Sequence, residues 1–173
     1  MSERKQAVFF DRDGVLNVDR GYVHRMEDVE WISGARELVA RLTREGRLLF
    51  VVTNQSGVAR GYYTEEDVRR LHDAMNEEFA RTGGHITEFF YCPHLKGGAV
   101  ARYDVDCGCR KPKPGMILKA LEAYGVEKGD ALLIGDSPRD VQAAEAAGIR
   151  GFLFDGTDLM TFWNRLQENE KRP

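Results

Sequence analysis

The chain predicts an α/β fold built on a single doubly wound, mostly parallel sheet of Rossmann-like type, and three observations carry that prediction. Short apolar runs recur at Ala7 to Phe10, Leu48 to Val52, Phe89 to Tyr91, Ala131 to Ile134 and Gly151 to Phe154. Segments with apolar residues at helical spacing separate most of them. Asp11, Thr53 and Asp136 stand at the carboxyl ends of three of the runs, which is where open parallel sheets bind their ligands.

Each element has its own warrant. Ala7 to Phe10 is too short for a helix and has no polar alternation, so it reads as a strand buried on both faces. Gly34 to Arg44 follows as a helix, with Ala35, Leu38, Val39 and Leu42 on one side and Gly46 as the stop. After the second strand, Thr64 has the chemistry of an N-cap, and Glu65, Glu66 and Asp67 put acids in the first turn. Leu71, Met75 and Phe79 carry that helix to about Gly83-Gly84. Pro93 to Lys113 has no periodicity, and a stretch of that kind inside a compact domain is usually functional or tied down. Met116 to Tyr124 and Pro138 to Ala147 read as helices around the fourth strand. Asp158 to Asn169 reads as the last, with Leu159, Phe162, Trp163 and Leu166 as its apolar stripe. Glu168 to Pro173 is expected to fray.

The 173 residues, 42% hydrophobic, are assigned to one domain, 1–173. A net charge of -3 with 31% charged residues offers no basic field, so nucleic acid is not an expected partner. No apolar run approaches the roughly 20 residues of a membrane span, and Met1 to Gln6 leads into the first strand without a signal-peptide core. The expectation is a cytoplasmic monomer that engages no membrane.

All three cysteines fall between Cys92 and Cys109, which suits a metal site in a reducing compartment better than a disulfide framework. Cys92-Pro93-His94 and Cys107-Gly108-Cys109 form two ligand pairs separated by a 12-residue loop, a set sufficient for a closed tetrahedral Zn²⁺ site. Incidental thiols and a redox Cys-x-Cys pair are the alternatives. Structural zinc is favoured because four protein ligands leave no position for substrate, and because the loop has too little apolar content to order itself.

A phosphate ester resists attack because its oxygens repel a nucleophile. A catalyst therefore needs a carboxylate, a divalent metal, a fixed cation and a proton donor. Asp11-Arg12-Asp13-Gly14, Thr53-Asn54, Lys111 and Gly135-Asp136 supply such groups in order along the chain. Gly14 permits a tight turn in which Asp11 and Asp13 face one pocket, and a metal between them would relieve their repulsion. Taken singly, the first phrase also fits a solvated acidic turn, Asp136 a helix N-cap, Thr53 a strand-end hydroxyl and Lys111 a solvated lysine.

Together and in this order, the four phrases resemble the motifs of the haloacid dehalogenase superfamily of aspartate-nucleophile phosphatases. The resemblance implies that fold, and no stretch between the motifs is long enough to hold a cap domain. It implies Asp11 as the nucleophile that forms an aspartyl-phosphate, and Asp13 as general acid and then general base. Thr53 and Lys111 would hold the phosphoryl oxygens. Mg²⁺ would bind Asp11, the main-chain carbonyl of Asp13, and Asp136. Asp140, one helical turn beyond Asp136, fits either a support for that metal site or a first-turn helix acid.

Phe10 to Asn17, Asp19 to Val23, Thr53 to Gly61, Cys92 to His94 and Cys107 to Pro112 are similar to the D-glycero-D-manno-heptose 1,7-bisphosphate 7-phosphatase family, over about Phe9 to Ala147. The closer resemblance implies a phosphorylated sugar substrate, in ADP- or GDP-heptose precursor synthesis for lipopolysaccharide. Its contacts would be Asp19, Arg20, Gly21, Tyr22, Thr53, Asn54, Gln55, Ser56, Arg110 and Lys111. Arg110, whose planar fork suits phosphate, is the first choice for the second phosphate. Ser137 stands where some members carry a lysine. Histidinol-phosphate phosphatases share the nucleophile motif, the zinc loop and Cys-Arg-Lys-Pro, and they are the enzyme alternative. A non-catalytic, zinc-stabilised binding module is the alternative outside enzymes. His24, His72 and His85 are read as surface or structural residues.

Overall fold

Five strands form one all-parallel sheet in the computed structural model, which describes residues 3–172. They are β1 (Ala7–Phe10), β2 (Leu48–Asn54), β3 (Glu88–Cys92), β4 (Ala131–Gly135) and β5 (Arg150–Leu153), in the order β3-β2-β1-β4-β5. Central β1 pairs Phe10 with Val51 on one side and with Ile134 on the other. The chain winds outward from β1 through β2 to β3 and then returns to β4. A crevice therefore opens beyond the carboxyl ends of β1 and β4, where the winding reverses.

Alternation along the strands explains why each reads as continuously apolar. Val8, Phe10, Val51 and Ile134 face the layer that contains α1 (Ala35–Arg44), α2 (Glu65–Arg81) and α5 (Leu159–Glu170), against Leu38, Phe79 and Trp163. Phe9, Phe50, Val52 and Leu133 face α3 (Gly115–Tyr124) and α4 (Pro138–Ala147), against Ile117, Ala120 and Ala144. With helices on both sides, the central strands β1, β2 and β4 are buried on both faces, while the edge strand β5 stays partly exposed. No helix among the described residues is long and apolar enough to cross a membrane.

Among the described residues, the apolar pattern finds the five strands and the five α-helices, misses three short 3-10 turns and misplaces some of the ends. β2 and β3 extend to Asn54 and Cys92, because parallel pairing continues past the last hydrophobic residue, with Thr53 beside Tyr91 and Asn54 beside Cys92. β5 starts at Arg150, one residue before the expected Gly151. Phe154 lies just past its end and donates its N–H to the Gly135 carbonyl at 2.7 Å. At α5, Asp158 Oδ1 accepts from the Thr161 N–H at 2.8 Å, and the helix runs through Glu170. Glu168, Asn169 and Glu170 are thus helical where fraying was expected, with Arg150 paired to Glu170; Pro173 lies outside the described residues.

Thr64 does cap α2. Its Oγ1 accepts from the Asp67 N–H at 3.1 Å, while Asp67 Oδ2 accepts from the Thr64 N–H at 2.9 Å. The aperiodic stretch from Pro93 to Lys113 is tied down at its tip. The Val100 N–H donates to the Ala59 carbonyl at 2.9 Å, and the Glu65 carboxylate accepts from the hydroxyls of Tyr103 at 2.6 Å and Tyr91 at 2.8 Å.

Candidate active site

Asp11 is the first residue past β1, and its N–H still donates to the Ile134 carbonyl of β4 at 3.1 Å. That bond seats its carboxylate at the sheet's centre, buried. Asp11 Oδ1 accepts from the Arg12 N–H at 2.8 Å and from Lys111 Nζ at 3.0 Å. Both contacts converge on that one oxygen and fix its position.

Lys111 is buried too. Its Nζ donates to the Val52 carbonyl at 2.8 Å and lies 2.6 Å from Asp140 Oδ1, a charge contact without hydrogen-bond alignment. Asn54 fixes its backbone, with Oδ1 accepting the Lys111 N–H at 3.0 Å and Nδ2 donating to the Lys111 carbonyl at 3.1 Å. The Lys111–Pro112 peptide is cis.

Charge and burial oppose each other on this floor. The Asp11 carboxyl is pushed up to about 8, chiefly by burial, with Lys111 pulling it down and Asp140 and Asp136 adding to the rise. Burial alone would lower the Lys111 ammonium, but Asp11 and Asp140 outweigh it, so its pKa lies above the ordinary value. Asp136 is also raised, chiefly by desolvation. Three carboxylates with oxygens within 4.8 Å of one another crowd this floor around one lysine. A second positive charge among hard oxygen donors would relieve that repulsion, so the donor set fits a magnesium-like ion. Asp140 has little left to offer one, since its Oδ2 accepts the Ser137 N–H at 3.1 Å and its Oδ1 faces Lys111.

Two glycines keep these acids close. A Cβ on Gly14, whose φ is +92°, would lie 1.9 Å from Asp136 Oδ2, and one on Gly135 would lie 2.2 Å from the Asp140 Cβ. Neither position admits a side chain without moving a carboxylate.

Asp13 sits on the same turn, half-buried, with its carboxylate surrounded by donors. Arg12 Nη2 reaches Oδ1 at 3.0 Å and Oδ2 at 3.1 Å, Asn17 Nδ2 reaches Oδ1 at 3.0 Å, and Gln55 Nε2 reaches Oδ2 at 3.0 Å. Gln55 Nε2 also donates to Thr53 Oγ1 at 2.8 Å, and its Oε1 accepts from the Tyr63 hydroxyl at 2.6 Å. Gly57 makes room for Tyr63, since a Cβ there would fall 2.2 Å from the ring.

Asp11, Asp13, Thr53, Lys111 and Asp136 line one cleft of about 400 Å³, together with Asn54, Gln55 and Ser56. Asp19, Gly21, Tyr22 and Arg110 form part of its wall. Arg20 does not line it and pairs with Glu30 instead, because successive side chains of the Asp19 to Tyr22 turn diverge. Tyr22 is the one non-glycine residue with positive φ, 56°, among those described. Its ring meets Tyr62 edge-on at 4.9 Å, with the Arg60 guanidinium 5.9 Å from its centre.

The four metal-ligand candidates of the cysteine loop also converge. Cys92, Cys107, Cys109 and His94 each offer a donor atom, all within 4.8 Å of one another. The sulfurs of Cys92 and Cys109 are 2.8 Å apart, and both lie near His94 Nδ1, at 3.8 and 3.5 Å. Their mutual hydrogen bond drives the thiols apart, with Cys109 down to about 5 and Cys92 well up. A dication bound by all three sulfurs would remove that conflict, so soft sulfur and imidazole donors in this compass fit zinc.

Sequence reasoning missed Arg60, Tyr63 and Arg139 in the cleft wall, and the buried pair Arg12 and His72 beneath it. Arg12 stood within the recognised phrase but looked like a spacer. Its partners His72 and Val23 come from other elements.

Comparison with known proteins follows the same lines. A HAD-hydrolase-like family model matches residues 108–156. The chain is 44% identical to D-glycero-beta-D-manno-heptose-1,7-bisphosphate 7-phosphatase of Rhodopseudomonas palustris, over 92% of this chain and 88% of that protein. It is 43% identical to D-glycero-alpha-D-manno-heptose-1,7-bisphosphate 7-phosphatase of Campylobacter jejuni, over 84% of this chain and 80% of the other. Among solved structures it is similar to D,D-heptose 1,7-bisphosphate phosphatase from B. bronchiseptica, complexed with magnesium and phosphate. There the TM-score is 0.81 at 32% identity, covering 94% of this chain and 99% of that one.

Proposed function

The chain belongs to the D-glycero-D-manno-heptose 1,7-bisphosphate 7-phosphatase family of haloacid-dehalogenase-like hydrolases, and from that premise we propose that it removes the 7-phosphate of such a heptose bisphosphate through an aspartyl-phosphate. The observation that carries the reading is the cleft floor, where a buried carboxylate, a buried lysine and a second, donor-held carboxylate face one space.

In this proposal Asp11 attacks phosphorus, its Oδ1 held by Lys111 and the Arg12 N–H. Lys111 and the Thr53 hydroxyl hold the phosphoryl oxygens, and burial of the lysine strengthens that attraction. Asp13 gives its proton to the departing sugar oxygen and then takes one from the water that opens the acyl phosphate. Magnesium held by Asp11, Asp136 and the Asp13 carbonyl would offset negative charge on the phosphoryl group. Asp140 would orient Lys111 from behind. Zinc held by Cys92, His94, Cys107 and Cys109 would order the loop that ends in Arg110 and Lys111. Asp19, Gly21, Tyr22, Gln55, Ser56 and Arg110 would contact the sugar and its second phosphate. Residues 1–173 would act as one cytoplasmic, monomeric domain.

Asp11→Asn should abolish phosphate release while leaving the circular dichroism spectrum unchanged. For the wild type, kcat/KM should be highest for one of the two heptose bisphosphate anomers, in comparison with fructose 1,6-bisphosphate and histidinol phosphate. A preference for histidinol phosphate would replace the substrate assignment.

A further inference from the structure

Arg12 is fully buried, does not line the cleft, and still spends its guanidinium on a carboxylate that remains partly open to it. Burying an arginine to reach a half-exposed acid is a costly way to gain stability. It is an effective way to fix a direction. Asn17 and Gln55 each touch a single oxygen of Asp13, whereas Arg12 reaches both through two nitrogens, Nε to Oδ1 at 3.2 Å and Nη2 to Oδ2 at 3.1 Å, and a two-nitrogen fork sets the plane of the carboxylate as well as its position.

The guanidinium is in turn fixed from behind. Its Nη2 donates to the Val23 carbonyl at 2.7 Å, and its Nη1 lies 3.2 Å from His72 Nε2. Since arginine only donates, His72 must accept there, with its proton on Nδ1. Burial and the Arg12 charge keep that imidazole neutral, lowering its pKa well below the usual value. The ring is stacked on Phe89, with centroids 4.5 Å apart, and that contact holds its plane.

We propose that Arg12, backed by His72, is a positioning residue that aims the Asp13 carboxylate at the leaving-group oxygen. The inference rests on the reading of Asp13 as the acid that protonates that oxygen. It differs from a purely structural role in one measurable respect. An aryl leaving group such as p-nitrophenolate departs without help, whereas a sugar alkoxide needs a proton, so misaiming Asp13 slows the two unequally.

The experiment compares kcat/KM for fructose 1,6-bisphosphate and p-nitrophenyl phosphate, because that ratio reports the step in which the leaving group departs. Asp13→Asn should lower the sugar-phosphate value by about 10² to 10⁴ and the aryl value by about tenfold or less. Arg12→Lys, which keeps charge and loses the fork, should show the same selectivity at about 10². His72→Phe keeps the ring stack and removes the acceptor, and it should show the selectivity at roughly tenfold; His72→Gln, which restores an acceptor, should recover most of it. His72→Phe is the decisive variant where Arg12→Lys folds poorly. Equal losses on both substrates, or none, in His72→Phe would overturn the positioning role and leave the Asp13 assignment standing. An unselective Asp13→Asn would overturn the acid assignment, and the inference with it.

Discussion

His72 illustrates how one side chain can carry a stability signature separate from any catalytic one. Its folded-state pKa is depressed by burial and by Arg12, so the unfolded chain binds a proton there more readily than the native one. Its contribution is therefore complete above the ordinary imidazole value of 6.5 and declines as pH falls below it. The native state should lose up to roughly 1.4 kcal/mol per pH unit through this group. His72→Phe should flatten that part of the profile, as measured by urea unfolding between about pH 7 and 5. None of this was legible in the sequence, where His72 is one polar residue on an otherwise amphipathic helix. Asp11, Asp13, Lys111 and Asp136 were legible because each follows a strand or stands in a recognisable phrase.

Elements decide which of these residues can meet. The turn after β1 brings Asp11 and Asp13 into one cleft, and Gly14 lets Asp136 of the β4 end lie against its backbone there. Gly14→Ala should displace Asp136 and weaken magnesium activation by about 10 to 100-fold, read from the Mg²⁺ dependence of phosphate release, with the fold retained. The cysteine loop has the same kind of leverage at longer range, since Cys109 is followed directly by Arg110 and Lys111. Purified protein should contain about one zinc per chain by elemental analysis. Cys109→Ser should lose it and lower kcat/KM by at least about tenfold while the sheet's circular dichroism signal persists. The spacing of the cysteines announced this loop, and Thr64 and Asp67 announced the start of α2. The clamp of Glu65 on Tyr91 and Tyr103 did not announce itself, because it joins a helix, a strand and a loop.

Across the whole molecule, two helical layers bury the central strands of the sheet and leave chemistry to its carboxyl edge. Trp163 of α5 is fully buried in the layer opposite α3 and α4, with the Arg47 guanidinium 5.2 Å from its ring centre. Trp163→Ala should destabilise the fold by about 3–5 kcal/mol in denaturant unfolding. Its kcat/KM without denaturant should stay within about twofold, since the cleft lies at the strand ends and the defect in the core. Hydrophobic periodicity by itself determined the five strands, the five α-helices and a mostly parallel sheet, because those depend on which residues must leave water, and that is a local property of the chain. It also placed the reacting groups at strand ends. Only the tertiary structure decided that Arg20 turns to Glu30, that Asp140 and Lys111 share one buried charge cluster, and that Arg12 and His72 stand behind Asp13. Some of those contacts bring distant parts of the chain together, as Arg12 and His72 do, and all of them depend on side-chain direction and charge, which no short stretch of sequence encodes.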